Sequence, residues 1–298
     1  MTPPRTGIDR HRNERAAPAL AGMHAPKGRA LRKLAWIFAC TGLTSALVLL
    51  VLSSVTHAAC GHDGAGFDAW LAQFRQRAAL QGISPTTISS ALAGITYDPT
   101  VVRLDRSQKS FKLSFEQFYA RRVGPGLMRR GQSLMRQHQV TLDRIEQHFG
   151  VPGPILIAIW GLETNYGADS SGKYSIIRSV ATLAYDCRRS EFFTEHLLDA
   201  LRILDRGDLT LAQLRGGWAG EIGHTQFLPK NILAYGTGDL NVAANALNST
   251  ANFLRAHGWR AGAGYQPGEP NFAAIEAWNA AQVYQKAIAI MGRQIDGQ

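Results

Sequence analysis

Several signatures are missing from this chain of 298 residues, and each absence narrows what it does. It has no H-E-x-x-H, no Cys/His cluster at zinc spacing, no Walker-type phosphate loop, no G-x-G-x-x-G after a strand and no G-x-S-x-G elbow. Zinc peptidase, nucleotide hydrolase, dinucleotide-dependent and serine hydrolase chemistries therefore lack their usual sequence support. No cofactor and no metal site is expected. Charge is scarce, at 18% of residues, while 45% are hydrophobic. That balance excludes wholesale disorder. Thirty Gly and twelve Pro follow no repeat period, which excludes collagen-like and solenoid designs. Strand-like alternation is nearly absent, so the expected class is mainly α.

A net charge of +10 would suggest a nucleic-acid partner, but its location argues otherwise. Residues 1–33 hold eight Lys/Arg against two acids, which leaves only +4 for the remainder. No nucleic-acid partner is expected. Leu34 to Ala58 carries no charge at all. As a helix, Leu34–Leu52 would span about 28 Å, close to the apolar thickness of a bilayer. The run then turns small and polar, with Thr56 and Ala58 at −3 and −1 of a cleavage site. Residues 1–58 thus read as a secretory signal cut after Ala58, or as an uncleaved membrane anchor, with Met23 as an alternative start. His57, three before Cys60, argues against lipid attachment. The remainder, 59–298, is expected outside the cytoplasm, in the periplasm.

Only three cysteines are present, and Cys40 lies in the apolar run. Export leaves Cys60 and Cys187, an even pair in an oxidising compartment and hence a disulfide candidate. The exported part reads as successive helices. Phe67, Trp70, Leu71 and Phe74 mark one face of a helix over 67–81. Ser84-Pro85 opens another, to Ala93. Further helical patterns cover 111–122, one long stretch 126–149 closed by Gly150, then 190–206, 245–257 and 283–294.

Two segments carry chemistry. Pro154–Gly167 (PILIAIWGLETNYG) begins apolar on every side, the mark of a buried helix, and ends in Glu163. A carboxylate emerging from such a helix loses hydration, which raises its pKa and suits it to proton donation; the plainer reading is a salt-bridged helix-end Glu. Gly216–Pro229 (GGWAGEIGHTQFLP) surrounds Trp218, His224, Gln226 and Phe227 with four glycines. Aromatic faces beside amides suit sugars, whereas the alternative is a glycine-rich packing turn. His196 and His224 are isolated and read as structural. Glu221 reads as a structural hydrogen-bonding acid.

Taken in order, IAIWGLETNYG (157–167), ATLAYDCRRSEFF (181–193), GGWAGEIGHTQFLP (216–229), STANFLRAHGW (249–259) and WNAAQVY (278–284) resemble the lytic murein transglycosylase B family. The resemblance implies a lysozyme-like (goose-type, SLT) catalytic core with added N- and C-terminal helical segments. It also implies a peptidoglycan lytic transglycosylase cutting the β-1,4 bond between N-acetylmuramic acid and N-acetylglucosamine. Glu163 then matches the family's single catalytic acid/base. Gln226 matches a glutamine near the cleavage subsites, and Arg188 and Arg189 a pair that meets carboxylates of the substrate. Asn279 and Tyr284 match groups that close the site, and Phe118 or Tyr119 an aromatic wall. Tyr166, Trp218 and Phe227 complete the expected substrate-binding set. Three positions depart from relatives: Gly217 stands for a common Ser, Phe253 for a frequent Tyr, and Trp278 for a Tyr. The short, weakly charged 235–241 loop replaces an acidic calcium loop, so no calcium site is expected. The implied partner is the glycan strand of peptidoglycan, met by a monomer. A hydrolytic muramidase on the same core, or an inactive wall-binding relative, is the alternative.

Overall fold

A computed structural model describes residues 60–107, 113–170 and 172–297. The expected signal or anchor segment, 1–58, lies outside these residues. Among the described residues, no helix is long and apolar enough to cross a membrane. They form thirteen α-helices and one two-residue ribbon. The class is therefore mainly α, as expected.

The order is α1 (Phe67–Leu80), α2 (Pro85–Ala91), α3 (Pro99–Arg106), α4 (Phe115–Arg122), α5 (Pro125–Gln137), α6 (Gln139–Phe149) and α7 (Gly153–Thr164). Strand β1 (Tyr174–Ser175) then leads to α8 (Ile176–Tyr185) and α9 (Ser190–Asp205). Strand β2 (Arg215–Gly216) precedes α10 (Pro229–Tyr235), α11 (Ala243–Ala256), α12 (Phe272–Trp278) and α13 (Gln282–Ile295). The strands pair antiparallel, Tyr174 opposite Gly216 and Ser175 opposite Arg215.

Local sequence explains most helix starts. Proline occupies the opening turn of α2, α3, α5, α7 and α10, where its missing N–H has no helical partner to lose. Ser84 accepts from the Thr87 amide at 3.2 Å, and Asp98 from the Thr100 amide at 3.0 Å. Ser114 and Gln117 form a reciprocal capping box on α4. The long stretch expected over 126–149 is two helices, not one. His138 leaves helical geometry at φ −102° and ψ 12°, and its ring meets Trp160 edge-on at 5.6 Å. The apolar pattern runs through this corner because both helices pack against α7.

Helix α7 is the axis of the core. Every residue from Gly153 to Leu162 is buried, and the helix packs against α5, α6, α11 and α13. Burying each of its Ile and Leu side chains stabilises by about 1.5–3 kcal/mol. Gly292 of α13 faces Ile155, and a Cβ there would lie 2.9 Å from the end of the Ile155 side chain.

At the N-terminal end, the expected bridge between Cys60 and Cys187 is present, with the Cα atoms 4.9 Å apart. Beside it, the Gly61 amide donates to the Tyr185 carbonyl at 2.9 Å, and the Gly66 amide to the Tyr185 hydroxyl at 3.2 Å. Closing so long a loop contributes about 4–5 kcal/mol in the chain-entropy model. Cys60→Ser and Cys187→Ser should each lower the Tm under oxidising conditions and leave it unchanged relative to wild type in strong reductant. An equal deficit in both conditions would show that the thiols matter only for packing.

Candidate active site

Glu163 sits in the last turn of α7, where the buried helix reaches the surface. The chain then turns sharply. Asn165 and Tyr166 adopt left-handed backbone, at φ 48° and 58°. Gln226, in the glycine-rich segment, is the third non-glycine residue in this region of φ/ψ space among the described residues, at φ 55°. Such backbone costs of order 1–3 kcal/mol per residue and persists where packing enforces it. All three strained positions thus fall in the two segments singled out from the sequence.

The Thr164 hydroxyl stitches those segments together. It donates to the His224 carbonyl at 2.6 Å and accepts from the Gly167 amide at 2.9 Å. The His224 ring lies parallel to Trp160, with centroids 5.4 Å apart. Burial holds its pKa below the usual imidazole range, which agrees with a structural role.

Burial pushes the Glu163 carboxyl up to about 7. Hydrogen bonds from Trp278 and Tyr284 and the charge of Arg122 oppose that rise, whereas the charge of Glu221 adds to it. Trp278 Nε1 donates to Glu163 Oε1 at 3.0 Å. Tyr284 is buried on α13, and its ring packs against Phe118 at 5.9 Å. Arg122 is fixed by donating to the carbonyl of Leu162, beside the acid.

The C-terminal segment therefore reaches the acid, though through Trp278 and Tyr284 rather than Asn279. The Asn279 side chain accepts from the Ala281 amide at 2.9 Å and so sets the approach to α13. Trp278 is the partner that sequence reasoning missed. It was visible only as a departure from the relatives' Tyr. Phe227 is buried against Trp278, with centroids 5.5 Å apart, and Phe253 meets the same indole at 5.1 Å. Phe227 thus props the indole. Tyr166 is also buried, and its hydroxyl donates to the Leu127 carbonyl at 2.9 Å. Tyr119 donates to Gln294 at 2.7 Å.

Gly217, Trp218 and Gln226 line, with others, a cleft of about 180 Å³. The Gln226 amide donates to the Gly223 carbonyl at 2.8 Å, which orients its oxygen. Gly217 lacks a side chain for a reason found in the packing: a Cβ there would run into the Glu221 carboxylate. Glu221 accepts from the Ala219 amide at 3.1 Å and holds the glycine-rich turn closed. Burial raises its pKa as well.

Arg188 and Arg189 are each half-exposed and paired with one buried acid. Both bind the buried carboxylate of Asp105, at the end of α3. The Arg188 amide and Arg106 bind the neighbouring buried Asp186. Arg189 still acts electrostatically on Glu221, which places its charge near the edge of the site. Among the described residues, no group of three or more His, Cys, Asp or Glu side chains converges as a metal site would require.

With this geometry in view, the relatives are informative. Residues 66–268 match the family described as "Transglycosylase SLT domain". Membrane-bound lytic murein transglycosylase B of Escherichia coli (strain K12) is 34% identical over 165 residues, which is 50% of this chain and 45% of that protein. The chain thus matches less than half the length of that curated relative. The structure of SltB3 from Pseudomonas aeruginosa in complex with NAG-NAM-pentapeptide superposes with a TM-score of 0.73 at 30% identity, over 79% of this chain and 81% of that one. Escherichia coli Slt35, in complex with bulgecin A, superposes with a TM-score of 0.66 over 82% and 97% of the two chains; at 22% identity it bears on the fold alone.

An acid whose pKa rises on folding weakens the folded state as it ionises. Between its ordinary value of 4.5 and about 7, the folded chain keeps a proton that the unfolded chain releases, so this contribution to stability declines as pH rises through that window. Glu163→Gln removes the titration. Its Tm should exceed that of wild type above neutrality, with a margin that shrinks as pH falls from about 7 to 4.5. A margin independent of pH would contradict the raised pKa.

Proposed function

Since the chain belongs to the transglycosylase SLT domain family, we propose that it is an exported lytic transglycosylase acting on peptidoglycan glycan strands. The observation that carries this reading is the Glu163 carboxyl, desolvated at the tip of α7 yet held by two aromatic donors, with its neighbour Thr164 tied to His224 in the segment that bears Gln226.

The chemistry needs one group to work in both directions. Glu163 first protonates the oxygen bridging N-acetylmuramic acid to N-acetylglucosamine. Burial favours the neutral acid that this step consumes. The resulting carboxylate then accepts the proton of the muramic acid C6 hydroxyl as that oxygen attacks C1 of the same sugar. Trp278 and Tyr284 both donate to the carboxylate and stabilise it for this second step. A pKa near 7 suits a group that must give and take one proton at neutral pH. The product is a 1,6-anhydro sugar, and no water enters. Intramolecular attack replaces the second carboxylate that ordinary glycosidases use.

Gln226 and Trp218 would line the saccharide cleft. Phe227 and Tyr166 act indirectly, by fixing Trp278 and the turn after Glu163. Arg188 and Arg189, half-exposed beyond their contact with Asp105, would meet substrate carboxylates at the rim. An envelope location fits both the disulfide and the charge-free run that precedes it.

Digestion of purified sacculi tests the assignment. Wild type should release muropeptides lighter by one water than those from a muramidase, and Glu163→Gln should release almost none while remaining folded. Products at the hydrolytic mass would convert the assignment to a muramidase. Full activity in Glu163→Gln would remove that residue from the mechanism. The alkaline limb of the pH–rate profile gives an independent check. Trp278→Phe, which removes a donor to the carboxylate, should move that limb to higher pH. Glu221→Gln, which removes a nearby negative charge, should move it to lower pH.

A further inference from the structure

The ribbon β1–β2 is a partition between two clefts. Successive residues of a strand face opposite sides. The pair Tyr174–Gly216 accordingly lines the saccharide cleft beside Gln226. The next pair, Ser175–Arg215, lines a second cleft of about 390 Å³ behind the ribbon. Lys173 and Tyr174 line both clefts, so the two meet at the start of β1.

The second cleft is cationic. Lys173, Arg178 and Arg215 line it against a single acid, Asp98. That acid is already committed: it binds Arg178 at 3.2 Å and caps α3 through the Thr100 amide at 3.0 Å. Among the described residues, no carboxylate pairs with Lys173 or Arg215. Arg215 is held in place without being neutralised, because its donors reach the carbonyls of Gly172 at 2.9 Å and Lys173 at 3.0 Å. The Lys173 ammonium lies 5.4 Å from the Tyr174 ring centroid. Two positive charges therefore remain uncompensated in a cleft that also offers the hydroxyls of Thr100 and Ser175. By contrast, Arg188 and Arg189 share a buried aspartate.

We propose that this second cleft receives a carboxylate of the peptide substituent carried by the glycan strand, with Arg215 and Lys173 as its cationic contacts. The proposal rests on the peptidoglycan reading above. It adds a specificity site whose ligand is the peptide rather than the sugar. The ribbon then separates recognition of the two: saccharide on the Gly216 face, peptide carboxylate on the Arg215 face. A guanidinium with fixed donors loses little freedom on meeting a carboxylate.

The test compares intact glycan strands with strands stripped of peptide by an amidase. Arg215→Gln and Lys173→Glu should each lower the ratio of kcat/KM on intact strands to that on stripped strands by about tenfold, the scale of one charge-assisted hydrogen bond. The change should appear in KM and should diminish at high salt. Arg215→Gln also removes hydrogen bonds that support the ribbon, so Lys173→Glu is the control; the Lys173 ammonium makes no side-chain hydrogen bond among the described residues. A ratio within twofold of wild type for Lys173→Glu, in an enzyme still active, would overturn the proposal and leave the transglycosylase assignment standing. A wild-type protein inactive on both strands would overturn that assignment and this proposal together.

Discussion

Everything at the site depends on the solvation of one carboxyl group. Helix α7 must be buried because it is apolar on every side, and its burial delivers Glu163 to the edge of the core with little water around it. Left alone there, the group would hold its proton more tightly still. Trp278 and Tyr284 offset that tendency with directed N–H and O–H donors, and Arg122 adds a positive charge. The balance is set by three separate parts of the chain: the end of α4, the end of α12 and the first turn of α13.

This dependence explains why the surrounding packing is so constrained. Phe227 and Phe253 hold the indole of Trp278 from two sides. Tyr284, in the first turn of α13, is brought to the acid by the packing of α13 along α7. Residues with no polar role thereby decide the protonation of the one group that has one.

Much of this was legible in the sequence, and the exceptions have physical causes. The buried helix ending in Glu163 could be read from an unbroken apolar run, and the α2 start from Ser84-Pro85, because capping and burial leave local marks. The corner at His138 left none, since the amphipathic pattern continues through it. Helix α8 was missed although Ile176, Val180 and Leu183 recur at helical spacing on a buried face. The roles of Asp105 and Trp278 were invisible for another reason. Each depends on contacts about eighty or more residues away, Asp105 with Arg188 and Trp278 with Glu163, which no local spacing reveals. Gly217 illustrates the same limit: read as a lost hydroxyl, it also faces the Glu221 carboxylate, a neighbour that the spacing does not reveal.

The contact between Trp278 and Glu163 has one more consequence. An indole changes its emission when a charge appears at its ring nitrogen, and here the partner of that nitrogen is a carboxyl that burial pushes up to about 7. The protein thus carries a fluorophore wired to its own acid, able to display the protonation state of the site by light alone, without turnover and without a label.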